Sequence, residues 1–239
     1  MKLDILVVAA HPDDAELGCG ATIAKHVALG HHVGIIDLTR GELGTRGTPE
    51  IRQQEANEAA SILGIKIWEN VGLRDGFILN DEASQLKVIS AVRKFQPEIV
   101  VCNAVYDRHT DHGRGASLVF DSCFLSGLVR IQTLGTDGKP QPAWRPKAVY
   151  HCIQSQLMEP DFIVDVSEHW DTKMRAIRAF KTQFFDPSSS EPETYISKPG
   201  FLKMIEGRGI EFGHAIGVTY GEGFTVRRYP GVRALTDLL

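Results

Sequence analysis

Apolar residues along the first half of the chain fall into two alternating patterns. Short, mostly apolar runs occur at "LDILVVAA" (3–10), "HVGIIDL" (32–38), "IKIWENV" (65–71) and "EIVVCNAV" (98–105), each the length of a buried strand. Between them, apolar residues return every three to four positions. "LGCGATIAKHVALG" (17–30) sets Leu17, Ala21, Ala24 and Ala28 on one helical face and closes at Gly30. "TPEIRQQEANEAASILG" (48–64) opens with Thr48 as N-cap and Pro49 in the first turn, and stops at Gly64. "EASQLKVISAVRKF" (82–95) and a segment at about 112–127 are further helices.

Strands without polar alternation, separated by helices, belong in a parallel sheet covered on both faces. The expectation is an α/β fold: a Rossmann-like, mostly parallel sheet of about five or more strands, with helices on both faces and right-handed crossovers. The second half is less regular. "TLGTDGKPQPAWRP" (133–146) is a polar excursion, "KAVYHCIQS" and "PDFIVDVS" read as strands, and Ser167 is placed to cap a helix through Phe180. "FFDPSSSEPETYISKPG" (184–200) is a long loop of the kind that usually carries function. With no repeat or linker, residues 1–239 read as one domain.

Composition narrows the classes. The 239 residues are 43% hydrophobic, enough for a core without staples, and 26 basic against 30 acidic residues leave a net charge of −4. The charges are intermixed, so neither nucleic acid nor a membrane surface is an expected partner. The N-terminal apolar run is too short to span a bilayer and lacks a small-residue cleavage site. Cys19, Cys102, Cys123 and Cys152 show no CxxC spacing, which suits a reducing, cytoplasmic setting and packing roles.

In open α/β sheets, ligands bind beyond the carboxyl ends of the strands. The segments at that rim are "HPDDAE" (11–16), "TRGELGTRG" (39–47), "GLRDG" (72–76) and "YDRHTDHGRG" (106–115), all rich in His, Asp, Glu and Arg. Singly, each has an ordinary alternative: Asp-Asp before a helix is a common cap, and "HTDH" could be a solvated loop. Jointly, His11, Asp13, Asp14, His109, Asp111 and His112 offer two imidazoles and a carboxylate for a divalent cation, with further groups left for acid–base work. A cation also accounts for carboxylates gathered so densely, and its bound water would ionise near neutral pH.

Two other classes compete. "GCGATIAKHVALGHHVGIID" resembles a dinucleotide-binding turn with Asp37 as the ribose acid, but Ile23 stands where the third glycine belongs, and the turn is acidic where a pyrophosphate would sit. A metal-holding scaffold without turnover would close its site with four ligands, whereas an extra carboxylate and imidazole surround three here. His151 reads as a core histidine, and His26, His31, His32 and His169 as solvated.

At these residues the sequence resembles the PIG-L/LmbE-like family of metal-dependent N-acetylglucosaminide deacetylases. "AHPDDAELGCGAT" is similar to its first motif and "RHTDHGRG" to its second, with Thr110 where the family has Pro. "TRGELGTRG", "IRQQEANEAASILGI", "GLRDG" and "GHAIGVTYGEGF" also fit. The resemblance implies His11, Asp14 and His112 as ligands of Zn2+, with Fe2+ able to occupy the same set in the cell. It implies Asp13 as general base and His109 as partner of the tetrahedral oxyanion and leaving amine, with Asp111 orienting a ligating imidazole. Arg52 and Asp75 match positions that hold sugar hydroxyls. Arg108 would face substrate carboxylates, and Tyr195 is a candidate oxyanion donor. Within the family, the chain looks most like the branch that deacetylates N-acetylglucosaminyl L-malate in bacillithiol biosynthesis, with broader deacetylation of N-acetylated amino-sugars or oligosaccharides as the alternative. The expected partner is a small sugar conjugate, and family precedent implies a cytoplasmic homo-oligomer, a hexamer.

Overall fold

A computed structural model describes residues 1–184 and 186–238. Seven strands form one sheet: β1 (Ile5–Ala9), β2 (Val33–Asp37), β3 (Ile67–Asn70), β4 (Ile99–Cys102), β5 (Ala148–Cys152), β6 (Phe162–Asp165) and β7 (Gly221–Val226). Their order is β3-β2-β1-β4-β5-β7-β6. The first five strands are parallel, with Val7 opposite Ile35 on one side and Val101 on the other. β7 runs antiparallel to both β5 and β6. Helices α1 (Asp14–Ala28), α2 (Pro49–Leu63), α3 (Glu82–Phe95), α4 (Thr110–Leu125), α5 (Trp170–Ala179) and α6 (Phe201–Ala215) cover the sheet.

The apolar core is split by the sheet. Val7, Ile35, Ala56, Met174, Ile177 and Phe224 belong to the layer under α1, α2 and α5. Leu6, Val8, Ile36, Val92, Leu118 and Val119 belong to the layer under α3 and α4. Alternate residues of β1 therefore point to opposite buried faces, which is why the strand has no polar positions. Local signals operate as the chemistry requires. Thr48 Oγ1 accepts from Ile51 N, and Gly64 ends α2 at φ 74°, a conformation favourable to glycine. Asp81 caps α3 through Ser84 N.

Two local expectations are corrected. Ser167 does not cap a long helix. It lies within a 3-10 turn (Ser167–His169) ahead of α5, where its Oγ donates to Asp165 Oδ1 at 2.7 Å and accepts from Tyr220 N at 3.1 Å. The 17–30 helix starts earlier, at Asp14, and is broken at Cys19 (φ −149°, ψ 26°). The break strands backbone groups on either side, and a buried ion pair takes them up. Glu222 of β7 accepts from Ala21 N (3.2 Å) and Thr22 N (2.7 Å), while Lys173 of α5 donates to Leu17 O (2.9 Å) and to Glu222 (2.6 Å). Gly18 is required here, since a Cβ would lie 2.5 Å from Cys152 Sγ. Gly18 thus serves packing at a spliced helix.

β1 leads to its neighbours on one side of the sheet and β4 to those on the other, so the strand order reverses between them. A crevice opens outside the carboxyl ends of two strands at such a reversal. The "HPDD" turn follows β1 and the "DRHTDH" segment follows β4.

Candidate metal centre and active site

The turn after β1 is set by backbone strain and by one arginine. Asp13 has φ 107° and ψ −24°, a left-handed conformation costly for a non-glycine residue and typical of functional turns. It stands at the N-cap of α1 but makes no capping bond with its side chain, so its carboxylate is free for other work. Arg52, buried on α2, donates to Pro12 O, to Gly41 O at 3.3 Å and to Asp13 Oδ2 at 3.1 Å, locking two rim loops together. Burial pushes the Asp13 carboxyl up to about 7, with Arg52 pulling the other way and the adjacent Asp14 adding to the rise.

Asp14 lies between two imidazoles. Its Oδ2 is 3.1 Å from His11 Nδ1, and its Oδ1 is 3.1 Å from His112 Nε2. The other ring nitrogens point outward to carboxylates: His11 Nε2 lies 3.1 Å from Asp75 and 3.4 Å from Asp111, and His112 Nδ1 is 2.6 Å from Asp107. Burial disfavours both imidazolium ions, yet these acids outweigh it, raising His112 to about 9 and His11 well above its ordinary value.

His109 caps α4, its Nδ1 accepting from Asp111 N at 3.2 Å. That bond fixes the neutral tautomer with the proton on Nε2. Burial and the charges of His11 and His112 hold its pKa below the ordinary value. One donor nitrogen each of His11, His109 and His112 lies within 4.8 Å of the others.

The donor set suits a divalent cation. Tetrahedral ligands at about 2.0–2.1 Å stand roughly 3.3 Å apart, close to the 3.1 Å separations that Asp14 makes with each imidazole. Carboxylates behind both rings orient ligating histidines and raise their basicity, the usual outer arrangement of such centres. Five buried or half-buried aspartates (13, 14, 75, 107 and 111) surround the site, against the buried Arg46 and Arg52, so a dication offsets the excess negative charge.

Each residue singled out in the sequence can now be placed. His11, Asp13, Asp14, Arg52, Asp75, Arg108, His109, His112 and Tyr195 line one cavity of about 300 Å³. Asp111 is fully buried behind His11, and accepts from Gly76 N. Asp75 meets His11 with one oxygen, and the other accepts from Leu43 N at 2.9 Å. Arg52 is likewise bonded to protein oxygens, among them Asp13 Oδ2. Arg108 is exposed and stacks over Tyr195, 4.3 Å from the ring centroid. His151 is a buried core residue, near Asn103 O at 3.1 Å.

Three contributors were missed by sequence reasoning. Asp107 holds His112, while Asn103 and Gln154 donate to Asp14. Asn103 and Gln154 lay inside segments read as strands, "EIVVCNAV" and "KAVYHCIQS"; the strands end earlier, at Cys102 and Cys152, which places both residues beyond the carboxyl ends. A larger groove of about 850 Å³ lies between α4, β5 and the C-terminal residues, with Phe120, Phe124, Arg145 and Arg227 among its walls. The two clusters among the described residues that could hold a metal, His11 with His109 and His112 and His11 with Asp75 and Asp111, both lie away from it.

The His/Asp cluster at the reversal point of the α/β sheet, with a spare carboxylate and imidazole beside it, is a candidate metal site. The family described as PIG-L, GlcNAc-PI de-N-acetylase, matches residues 6–123. A crystal structure of the conserved protein TT1542 from Thermus thermophilus is 33% identical, covers 98% of both chains, and superposes with a TM-score of 0.87. The diacetylchitobiose deacetylase of Thermococcus kodakarensis is 26% identical over 95% of this chain and 84% of its own. The probable N-acetyl-alpha-D-glucosaminyl L-malate deacetylase 2 of Bacillus subtilis is 28% identical over 77% of this chain and 84% of its own. The chain belongs to the PIG-L family of deacetylases.

Proposed function

We propose that this protein is a zinc-dependent hydrolase that removes the acetyl group from an N-acetylglucosamine conjugate, with N-acetylglucosaminyl L-malate as the substrate. The observation that carries the reading is the Asp14 carboxylate set 3.1 Å from one nitrogen of His11 and one of His112, with Asp13 adjacent. His11, Asp14 and His112 would hold the metal, and ferrous iron suits the same ligands. The metal when bound supplies Lewis acidity and brings the pKa of water toward about 7.

The remaining chemistry belongs to side chains of this chain. Asp13, with its carboxyl near neutrality, accepts the proton of the attacking water as the new C–O bond forms. Arg52 fixes that carboxylate without a proton to give away. His109, its Nδ1 committed to Asp111 N, donates a hydrogen bond from Nε2 to the oxygen that gains charge and keeps its proton. Asp13 hands the proton it took from water to the departing nitrogen as the C–N bond breaks, and amine and acetate leave. Arg108 faces the carboxylates of the aglycone, its guanidinium stacked on Tyr195.

Support for the finer substrate comes from the exposed arginine at the cavity mouth and from the Bacillus subtilis relative named for the malate conjugate. The Thermococcus relative, named for diacetylchitobiose, supports the alternative of a broader amino-sugar deacetylase. The reading also includes a single domain and a cytoplasmic homo-oligomer, a hexamer, which light scattering of the purified protein tests. The deciding experiment measures acetate release from N-acetylglucosaminyl malate, free N-acetylglucosamine and diacetylchitobiose, with and without chelator. Chelator-sensitive preference for the malate conjugate supports the proposal. Equal rates remove the malate assignment, and no acetate from any of them removes deacetylation.

A further inference from the structure

Asp14 is held from behind as well as in front. Gln154 Nε2 donates to its Oδ1 at 2.6 Å, and Asn103 Nδ2 donates to its Oδ2 at 3.2 Å, joined there by His11 N at 3.0 Å. Both amides are buried, with 2% of Asn103 and 3% of Gln154 exposed. They come from adjacent parallel strands: Cys102 of β4 pairs with His151 of β5, and Asn103 and Gln154 follow at the carboxyl ends.

The network dictates which way each amide faces. Asn103 Oδ1 accepts from Ala10 N at 2.7 Å, so its nitrogen must turn toward Asp14. That nitrogen also reaches Gln154 Oε1 at 3.4 Å, which leaves Gln154 Nε2 for the other carboxylate oxygen. Reversing either amide would set oxygen against oxygen in a buried site, a costly arrangement. The chain of donors runs from β1 through Asn103 and Gln154 to Asp14, and every link has a single polarity.

We propose that Asn103 and Gln154 are positioning residues, a paired amide clamp that fixes the Asp14 carboxylate and thereby sets the affinity and ligand geometry of the metal centre. This inference rests on the metal-centre reading above. The clamp uses neutral donors for a physical reason. A lysine or arginine in the same place would hold the carboxylate equally well but would neutralise it and repel a dication. An amide constrains both oxygens and leaves their charge for the metal. A carboxylate released from these bonds would rotate, accept water and lose the alignment shared with His11 and His112. Partners of this kind typically account for about 10- to 100-fold in metal affinity.

The test compares the full-length wild type with Gln154→Met, which keeps the side-chain length but removes the donor, and with Asn103→Ser, which withdraws the other amide. Zn2+ affinity is measured by chelator competition on metal-free protein, and ligand geometry by the visible absorption of the Co2+-loaded form. Circular dichroism of the metal-free proteins confirms that each variant is folded. The expected result is Zn2+ binding about 10- to 100-fold weaker, with an altered Co2+ spectrum, in each folded variant. Gln154→Met with wild-type Zn2+ affinity and spectrum overturns the clamp while leaving the metal centre intact. Wild-type protein that takes up no Zn2+ or Co2+ overturns the metal centre and the clamp together.

Discussion

The guanidinium of Arg52 reaches from α2 to the strained turn after β1 and stands 3.1 Å from Asp13 Oδ2. It also donates to Pro12 O and Gly41 O, so one side chain fixes both the position and the charge of the carboxylate. Because Asp13 is at the helix N-cap yet makes no cap bond, its geometry is not needed to start α1. Its strained φ is retained for the carboxylate that it presents.

Asp13→Ala is therefore expected to leave metal content near wild type, to lower stability because buried Arg52 keeps only carbonyl partners, and to lower kcat by about 100- to 10,000-fold, the range for loss of a positioned base. Acetate release, metal analysis and denaturant unfolding on the same preparation check all three. Near wild-type turnover would remove Asp13 from the mechanism. Arg52→Ala leaves Asp13 buried without its counter-charge as well as freeing the 39–47 loop; loss of both stability and kcat is expected.

A second prediction concerns the splice in α1. Lys173 and Glu222 are each 3% exposed at the side chain and answer the backbone groups left by the break at Cys19. Removing one partner leaves a buried charge, which typically costs about 3–5 kcal/mol. Glu222→Ala should destabilise the protein by that order in denaturant unfolding. Restoring charge balance with Lys173→Met in the same chain should recover only part of the loss, since Ala21 N and Thr22 N stay unpaired. Full recovery would show that the pair matters only as an ion pair.

How far the molecule could be read from its sequence follows from the range of the forces involved. The five parallel strands and α2, with its Thr48 cap and Gly64 stop, were legible because apolar period and end signals are local. Much of the rim cluster was legible too, because His and Asp at the ends of β1 and β4 are conspicuous beside apolar strands. The break at Cys19 was not, since it is stabilised by Glu222 and Lys173 from the far end of the chain. Asn103 and Gln154 escaped notice for a related reason: an amide at a strand end looks ordinary until the neighbouring strand brings Asp14 against it. The same holds for the bonds of Arg52 to Asp13 and of Asp75 to His11, whose partners lie far apart in the sequence.

The pH dependence of metal uptake has a definite sign. In the metal-free protein, burial opposes both imidazolium ions, but the neighbouring carboxylates outweigh it and hold His112 at about 9, with His11 also well above its ordinary value. A metal must displace those protons, so affinity should rise with pH between about 6.5 and 9, by about tenfold per unit for each proton released. Stability of the metal-free fold runs the other way. A histidine whose pKa is raised on folding stabilises fully below its unfolded value of about 6.5 and loses that contribution as pH climbs through the folded value. Melting temperatures of metal-free protein should thus fall between about pH 6.5 and pH 9, and loading with Zn2+ should flatten the decline. A melting temperature of the metal-free protein that rises across this window would show that the imidazoles are not held protonated by Asp14, Asp75, Asp107 and Asp111.

Arg108 separates the two substrate readings. It is exposed at the cavity mouth, stacked 4.3 Å from the centre of Tyr195, and does not touch the His/Asp cluster through any ion pair among the described residues. If it reads the carboxylates of malate, Arg108→Ala should raise KM for N-acetylglucosaminyl malate by about 10- to 100-fold, since hydrogen bonds to a charged group are worth roughly 1.5–3 kcal/mol, while kcat changes little. The same substitution should leave turnover of diacetylchitobiose almost unaltered, because that sugar carries no charge for the guanidinium to meet. Arg108→Lys should rescue only part of the loss, as an ammonium lacks the planar fork that matches a carboxylate. Equal loss on the charged and the neutral substrate would instead assign Arg108 to the sugar or to the placement of the Tyr195 loop, and with it the preference for the malate conjugate would lose its structural basis.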